Sequence, residues 1–468
     1  MVVTLFYILG ILSSINAVMT ARTSQGAIAW VVSLITFPFV AVPAYWIFGN
    51  SRFNGYVKAR HSSSKKVQNV LSKTLEGLEP HRLPESKICS AGSAAEKLAD
   101  LPFLQRNSVR LLIDGKATFE SILESIDSAA SYILFQFYIV RDDEIGCEIK
   151  ERLIAKSKEG VKIYFLYDEI GSLDLSDSYK DDLRNAGIEI NSFHTQKGRG
   201  NRFQLNFRNH RKIVVVDGKT AWVGGLNVGD EYLGRDPKIG NWRDTHMKIT
   251  GPAAIAVQVS FVEDWHWSTG ETLPNIIWKP TPSAKGNTNV LIVPSGPADD
   301  LETATLMFLH TINSAKERIW IATPYFVPDG AILAALQLAG LRGVDVRILV
   351  PDKADNLLVN LSFYTYLDDA SLTGVRFYRY TDGFLHEKVM LIDHDASTVG
   401  TANFDNRSFR LNFEITGLIS DPAFAVQIEA MFLDDFAHSR EMTKSDIDGH
   451  SFWFRLATRL ARLTSPVQ

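Results

Sequence analysis

Two stretches of this chain superimpose on each other. RNHRKIVVVD spans residues 208–217 and FLHEKVMLID spans 384–393, and His210, Lys212, Asp217 and Asn227 recur as His386, Lys388, Asp393 and Asn403 at a constant offset of 176 residues. Four polar residues kept in step over that distance require two units of the same construction. The flanks extend the echo. SAASYILFQFYIV (128–140) leads into a helical span and then VKIYFLYDE, while SAKERIWIATPYFV (314–327) leads into a helical span and then VDVRILVPD. Short apolar runs rich in Ile, Val, Phe and Tyr, alternating with amphipathic spans that end in Gly, mark buried strands joined by crossover helices. RDTHMKITGP from Arg243 aligns with FEITGLISDP from Phe413, which sets Asp244 opposite Glu414. The expected fold is α/β: two duplicated lobes, each a mixed β-sheet flanked by helices, over 106–270 and 290–468 with a connector at 271–289.

The N-terminus differs in kind. Val2–Met19 carries no charge, and Ala27–Phe48 is a second uncharged run of 22 residues, about the length that crosses roughly 30 Å of hydrocarbon. A transmembrane hairpin over 1–50 is the expectation, with Trp30, Tyr45 and Trp46 at interfacial depth. No Lys or Arg precedes Arg22, so the basic n-region of a cleaved signal peptide is missing. Residues 51–105 read as a juxtamembrane linker and lead-in. Arg52, Lys58, Arg60, Lys65 and Lys66 follow the second run, whereas the connector between the runs holds Arg22 alone. The positive-inside rule then puts both hairpin ends and the lobes in the cytoplasm.

Composition closes some doors. With 46% hydrophobic and 22% charged residues the chain is no disordered scaffold, and a net charge of −4 gives no global pull toward nucleic acid. Cys89 and Cys147 are too few for a disulfide framework and lie in no zinc-binding spacing, so both read as buried thiols. A local basic run, KGRGNRFQLNFRNHRK (197–212), holds Lys197, Arg199, Arg202, Arg208, Arg211 and Lys212 and suits anionic lipid headgroups better than nucleic acid once membrane segments are attached. FWFRLATRLARL (452–463) is basic and amphipathic, fit either to lie on a membrane or to dock on the second lobe.

The repeated motif has a chemistry. In each copy the residues after Lys form a strand, so His and Lys, two apart, share a face. Glycines in WVGGLN (222–227) and TVGTAN (398–403) admit close backbone approach, and Asn227 and Asn403 can donate to an oxyanion. Two His, two Lys and two Asn suit a phosphodiester: Lys212, Lys388, Asn227 and Asn403 would hold the phosphoryl oxygens, and the two imidazoles would serve as nucleophile and as general acid and base. Asp244 and Glu414 are candidates to orient the histidines. Asp217 and Asp393 fall on the opposite strand face and are expected to organise the motif.

The two H-x-K-x4-D motifs with trailing Gly and Asn resemble the phospholipase D superfamily. The two N-terminal apolar runs, GGLNVGDEYLG (224–234), NWRDTH (241–246) and TANFDNRSFRLNFE (401–414) are similar to bacterial cardiolipin synthases. That resemblance implies condensation of two phosphatidylglycerol molecules to cardiolipin and glycerol through a phosphatidyl-histidine, in the bacterial cytoplasmic membrane, with no cofactor and no metal. It favours His210 as the nucleophile. The second loop departs from many relatives in reading Gly400-Thr401 where they have Gly-Ser. A hydrolase using water, or a transphosphatidylase using another donor or acceptor such as phosphatidylethanolamine, keeps the same apparatus; a nuclease is disfavoured by the membrane segments, and a non-enzymatic scaffold by the intact motifs. Phospholipids and the bilayer are the expected partners, nucleic acid is not, and a homo-oligomer is left open.

Overall fold

The computed structural model describes residues 2–49, 53, 56, 65–193, 206–443 and 445–468. Lys197, Arg199, Arg202, Arg52, Lys58 and Arg60 lie outside the described residues.

Each lobe contributes half of one continuous sheet. In the first lobe, strands Tyr132–Phe137, Lys162–Asp168 and Glu189–Phe193 run parallel, and Tyr132–Phe137 then pairs antiparallel with Ile213–Val216, followed by Thr220–Gly224, Thr245–Thr250 and Leu104–Ile113. The second lobe repeats this with Arg318–Ala322, Asp345–Pro351 and Arg376–Tyr380 parallel, then Val389–Ile392, Ala396–Gly400, Asn412–Ser420 and Thr288–Ser295 antiparallel. Helices cover both faces, so the motif strands IVVV and VMLI are buried throughout and can be apolar at every position. Strand Leu104–Ile113 joins the halves. Ser108–Ile113 pair with the first lobe, whereas Leu104 and Asn107 pair with Val290 and Thr288 of the second, across an irregularity that contains Arg106 at φ 64°. Asn107 seals the break by donating to the carbonyls of Leu104 and Thr288 and accepting from the Ala253 N–H.

Within 51–105, expected as a juxtamembrane linker and lead-in, several of the described residues are packed into the core. Phe53, Leu78, Leu83 and Phe103 are buried in the core, the Phe53 N–H donates to the Pro297 carbonyl, and the Tyr56 hydroxyl lies 3.0 Å from the Asp264 carboxylate. The two cysteines, expected buried, are half-buried and free.

The N-terminal segment has one helix of spanning length, α1 (Val2–Thr20). The second apolar run, expected as one helix, is two: α2 (Ser24–Thr36) and α3 (Pro38–Phe48). Proline disfavours helical backbone in the residue before it, and Phe37 accordingly sits at φ −131°, ψ 56° and ends α2. The chain then turns back. Trp30 and Tyr45 stack edge to face at 5.1 Å, although a continuous helix would hold them about 22 Å apart at 1.5 Å per residue. Phe39 meets Phe6, and the Tyr45 hydroxyl donates to Asn16 at 2.7 Å. α3 therefore runs antiparallel to α2 and alongside α1. A small-residue face of α1, Gly10, Ser13, Ser14 and Ala17, is buried and admits this close approach. The connector between α1 and α2 reaches the second lobe, where Arg22 pairs with Glu302.

The C-terminal helix Phe452–Arg462 docks on helix Leu357–Ser371. Phe454 packs edge-on against Tyr364, Arg462 pairs with Asp369 at 2.7 Å, and Thr458 and Ala461 are buried. Phe452, Trp453, Leu460 and Leu463 remain exposed on its other side.

Candidate active site

The motif segments exchange partners between the lobes. The two residues before His210, Arg208 and Asn209, pair parallel with Asn412 and Phe413 of the second lobe, and the His210 N–H donates to the Phe413 carbonyl at 2.9 Å. Likewise Phe384 and Leu385 pair with Trp242 and Arg243 of the first lobe, and the His386 N–H donates to the Arg243 carbonyl at 2.7 Å. Each histidine thereby sits beside the acidic residue of the other lobe. His210 Nδ1 lies 3.0 Å from both oxygens of Glu414, and His386 Nδ1 lies 2.7 Å from Asp244 Oδ2. Tyr138 packs against the His210 ring and Trp242 against the His386 ring, each at 5.0 Å.

Both histidines line a pocket of about 750 Å³ together with Tyr138, Asn227, Trp242 and Asn403. Burial pushes the imidazoles down, His210 to about 4 and His386 to about 3, with Glu414 and Asp244 partly opposing the shift. Both carboxyls are wholly buried. Burial alone would raise them, but His210 and Lys212 around Glu414, and Lys388 and His386 around Asp244, together hold each below its ordinary value. At neutral pH the dyads are neutral imidazole and carboxylate: Nδ1–H donates to the acid, and the other ring nitrogen keeps its lone pair.

The lysines lie behind the histidines. Lys212 donates to the His210 carbonyl at 2.8 Å, and Lys388 donates to the His386 carbonyl with its Nζ 2.8 Å from His386 Nδ1. That nitrogen can serve one partner at a time, and the ionised Asp244 is the stronger acceptor of its hydrogen. Burial lowers Lys212 to about 7 and Lys388 to about 8. Burial thus makes each ammonium easier to deprotonate, so the positive potential behind the histidines depends on pH near neutrality. Asn227 accepts from the Ile139 N–H at 3.1 Å and donates to the Tyr232 hydroxyl at 3.0 Å, whereas Asn403 donates to Asp405 at 3.3 Å.

Asp217 and Asp393 are away from the pocket. Asp217 accepts from the N–H groups of Ala130, Ser131 and Tyr132, and Asp393 from those of Lys316, Glu317 and Arg318. Each pins the start of the neighbouring central strand while occupying a positive-φ turn position, φ 53° and 47°, which Asp tolerates better than most residues.

Two residues at the site were given no role from the sequence. Thr401 donates to Glu414 at 2.5 Å, and Asn412 does so at 3.2 Å. The position equivalent to Thr401 is Gly225, where a Cβ would fall 2.0 Å from the Asp244 carboxylate, so the two half-sites seat their acids differently. Of the basic run, Arg211 turns inward to Asp264 at 2.9 Å and Lys212 is buried, while Arg208 lines the pocket.

Comparison with known proteins agrees with the duplicated fold. The family described as cardiolipin synthase, PLD-like domain, matches residues 122–242 and 308–436, one match in each lobe. Cardiolipin synthase A of Pseudomonas putida (strain W619) is 46% identical, with 100% of this chain and 98% of the relative covered, and that of Pseudomonas fluorescens (strain SBW25) is 46% identical over 98% and 96%. Among solved structures, phosphatidylserine synthase of Haemophilus influenzae Rd KW20 shares the fold at TM-score 0.60 and 16% identity, covering 81% of this chain and all of the other. A duplicated match over more than half the chain, and full-length relatives at 46% identity, show that the chain belongs to the cardiolipin synthase family of phospholipase D-like proteins.

Proposed function

We propose that the protein is a phosphatidyltransferase that joins two phosphatidylglycerol molecules into cardiolipin and glycerol. The observation that carries this reading is the pair of crossed histidine–carboxylate dyads facing one pocket. A donor phosphodiester bound between them is attacked at phosphorus by one imidazole nitrogen. The P–O bond to glycerol breaks, and the second imidazole, protonated once the anion has entered, delivers its proton to the departing oxygen. The terminal hydroxyl of the second lipid then takes the place of glycerol. It gives its proton to the second imidazole, bonds to phosphorus and displaces the first. Lys212, Lys388, Asn227 and Asn403 stabilise the equatorial oxygens as charge gathers on them, and Asp244 and Glu414 hold the ring tautomers. Trapping of labelled phospho-enzyme in His210→Ala and His386→Ala separately identifies the nucleophile, which family resemblance suggests is His210.

The reading extends to the membrane. α1, at 19 residues, is about 28 Å long, whereas α2 and α3 at 13 and 11 residues are each too short to cross. We infer one crossing by α1 and a re-entrant pair, α2 and α3, that enters and leaves on the lobe side. The Arg22–Glu302 pair supports this, since a two-pass hairpin would hold Arg22 across the bilayer from the lobes. Arg22 then joins Arg52, Lys58, Arg60, Lys65 and Lys66 on one side, which the positive-inside rule makes the cytoplasmic one.

Purified protein incubated in micelles with phosphatidylglycerol and no added divalent cation tests the chemistry. Cardiolipin with equimolar glycerol is expected, and phosphatidic acid alone would refute transfer in favour of hydrolysis.

A further inference from the structure

The duplication that preserves His, Lys and Asn in both half-sites also shows where the halves have diverged. At the same offset of 176, Arg208 corresponds to Phe384 and Arg407 to Glu231. All four side chains line the pocket. On the His386 side, Phe384 packs on Trp242 at 4.9 Å and Glu231 is engaged with Arg141 at 3.0 Å, so that wall is aromatic and charge-paired. On the His210 side the same two positions are guanidinium groups. Arg208 reaches the Tyr138 side chain and donates to the Phe207 carbonyl at 2.6 Å, and Arg407 donates to Asn206 through Nη1 at 3.0 Å and Nη2 at 2.7 Å. Burial, and then the charge of Arg208, pull the Arg407 pKa down: the two cations sit close enough to repel each other in a poorly solvated wall. Asp168 and Asp405 lie close enough for their charge to offset part of that repulsion, and main chain fixes both acids in place. Asp168 accepts from the N–H groups of Ile170, Gly171 and Asn209, and Asp405 from that of Ser408. Two guanidinium groups that share a pocket wall, anchored within the protein yet lining the cavity, suit an anion, because each has further N–H donors to offer phosphate oxygens.

The transferase chemistry creates a demand for such a receptor. When the second transfer takes place, two phosphodiesters occupy the pocket. One is the phosphoryl group on histidine, served by the lysines and asparagines that both lobes share. The other belongs to the acceptor lipid, three carbons from its attacking hydroxyl, and has no counterpart in the symmetric machinery. We infer that Arg208 and Arg407 form the binding site for the phosphodiester of the acceptor lipid, the feature that selects an anionic lipid alcohol over water and glycerol. This rests on the transferase reading.

The test compares two acceptors on one enzyme. Full-length wild type, Arg208→Gln, Arg407→Gln and Arg407→Lys in mixed micelles with phosphatidylglycerol are assayed for cardiolipin and, separately, for exchange of deuterated glycerol into phosphatidylglycerol. Exchange uses the same phosphatidyl-histidine but a neutral acceptor. Each Gln variant is expected to lose cardiolipin formation at least about ten-fold more than exchange, to raise the apparent KM for acceptor lipid, and to release more phosphatidic acid. Lys at 407, with the charge but not the fork, falls between. Both arginines are half-buried, and the Arg208 variant carries the comparison if Arg407→Gln melts early. Equal loss of both reactions in Arg208→Gln at unchanged melting would mean that the arginines serve the donor phosphate or the fold, and would overturn the site. So would no loss of either. Wild type that exchanges glycerol but makes no cardiolipin would overturn the transferase reading and this site with it.

Discussion

Replacing Glu414 by Gln should damage the chemistry of His210, a residue in the other lobe. Glu414 is wholly buried and accepts from His210 Nδ1, Thr401 and Asn412 at once. In the Gln variant, the Asn412 donor claims the amide oxygen and the amide N–H2 is turned toward Thr401 and the imidazole, because the Thr401 hydroxyl can redirect its hydrogen to the Ile415 carbonyl at 3.3 Å. An N–H2 facing Nδ1 stabilises the tautomer protonated at the reacting nitrogen, which can neither attack phosphorus nor accept a proton. The comparable loss in a serine-protease triad is about 10⁴ in kcat, so we expect a loss of about 10³ to 10⁴, or about 4–5.5 kcal/mol of transition-state stabilisation. Rapid-quench measurement of phospho-enzyme formation and decay assigns the damage. Glu414→Gln should share the kinetic signature of His210→Ala, and Asp244→Asn that of His386→Ala. If Glu414→Gln instead groups with His386→Ala, the crossed pairing is wrong; if its kcat falls less than about ten-fold, tautomer control is not its role.

Three further outcomes are expected. Because Lys212 and Lys388 are lowered to about 7 and 8 by burial, raising the pH deprotonates them and weakens the hold on phosphate; kcat/KM should fall above pH about 7–8, while kcat, measured with an anion already bound, should fall at higher pH, and a kcat/KM profile flat from pH 7 to 9 would refute this. Asp217→Ala removes three acceptor contacts and strains a left-handed position, so it should cost about 4 kcal/mol in a denaturant titration, with Asp217→Asn milder and Asp393→Ala smaller in effect because its carboxylate is half-exposed. In a Cys89→Ser, Cys147→Ser background, a cysteine introduced at Thr23 should be labelled by an impermeant thiol reagent only from the cytoplasmic face, and one at Thr4 only from the far face; labelling of position 23 from the far face would restore the two-pass hairpin.

Much of this was legible because the duplication samples the same construction twice. The strands IVVV and VMLI declare themselves as short apolar runs, and the His, Lys and Asn of each copy through fixed spacing. The crossed dyads were not legible: that His210 meets Glu414 and not Asp244 depends on Arg208–Asn209 pairing with Asn412–Phe413, a contact across some 200 residues to which no local pattern points. The turn at Phe37 was hidden differently. Ala27–Phe48 is uncharged throughout, so a length criterion fuses it into one span, although Pro38 after Phe37 signals the break. Arg208 and Arg407 could have been found by running the same offset in reverse, asking where the copies disagree.

The crossing has a consequence for how the enzyme is switched on. If each histidine drew its carboxylate from its own lobe, either lobe alone would hold an activated imidazole as soon as it folded. Here neither dyad exists until the lobes have docked, because the segments before His210 and His386 are themselves paired across the interface. A separated lobe would carry a buried-type acid without its histidine and a histidine free to take either tautomer. On the proposed mechanism, activation of the nucleophile, activation of the acid and closure of the pocket are therefore one structural event. Any substitution that loosens the lobe interface should lower both half-reactions together, unlike changes at the arginines, which separate them.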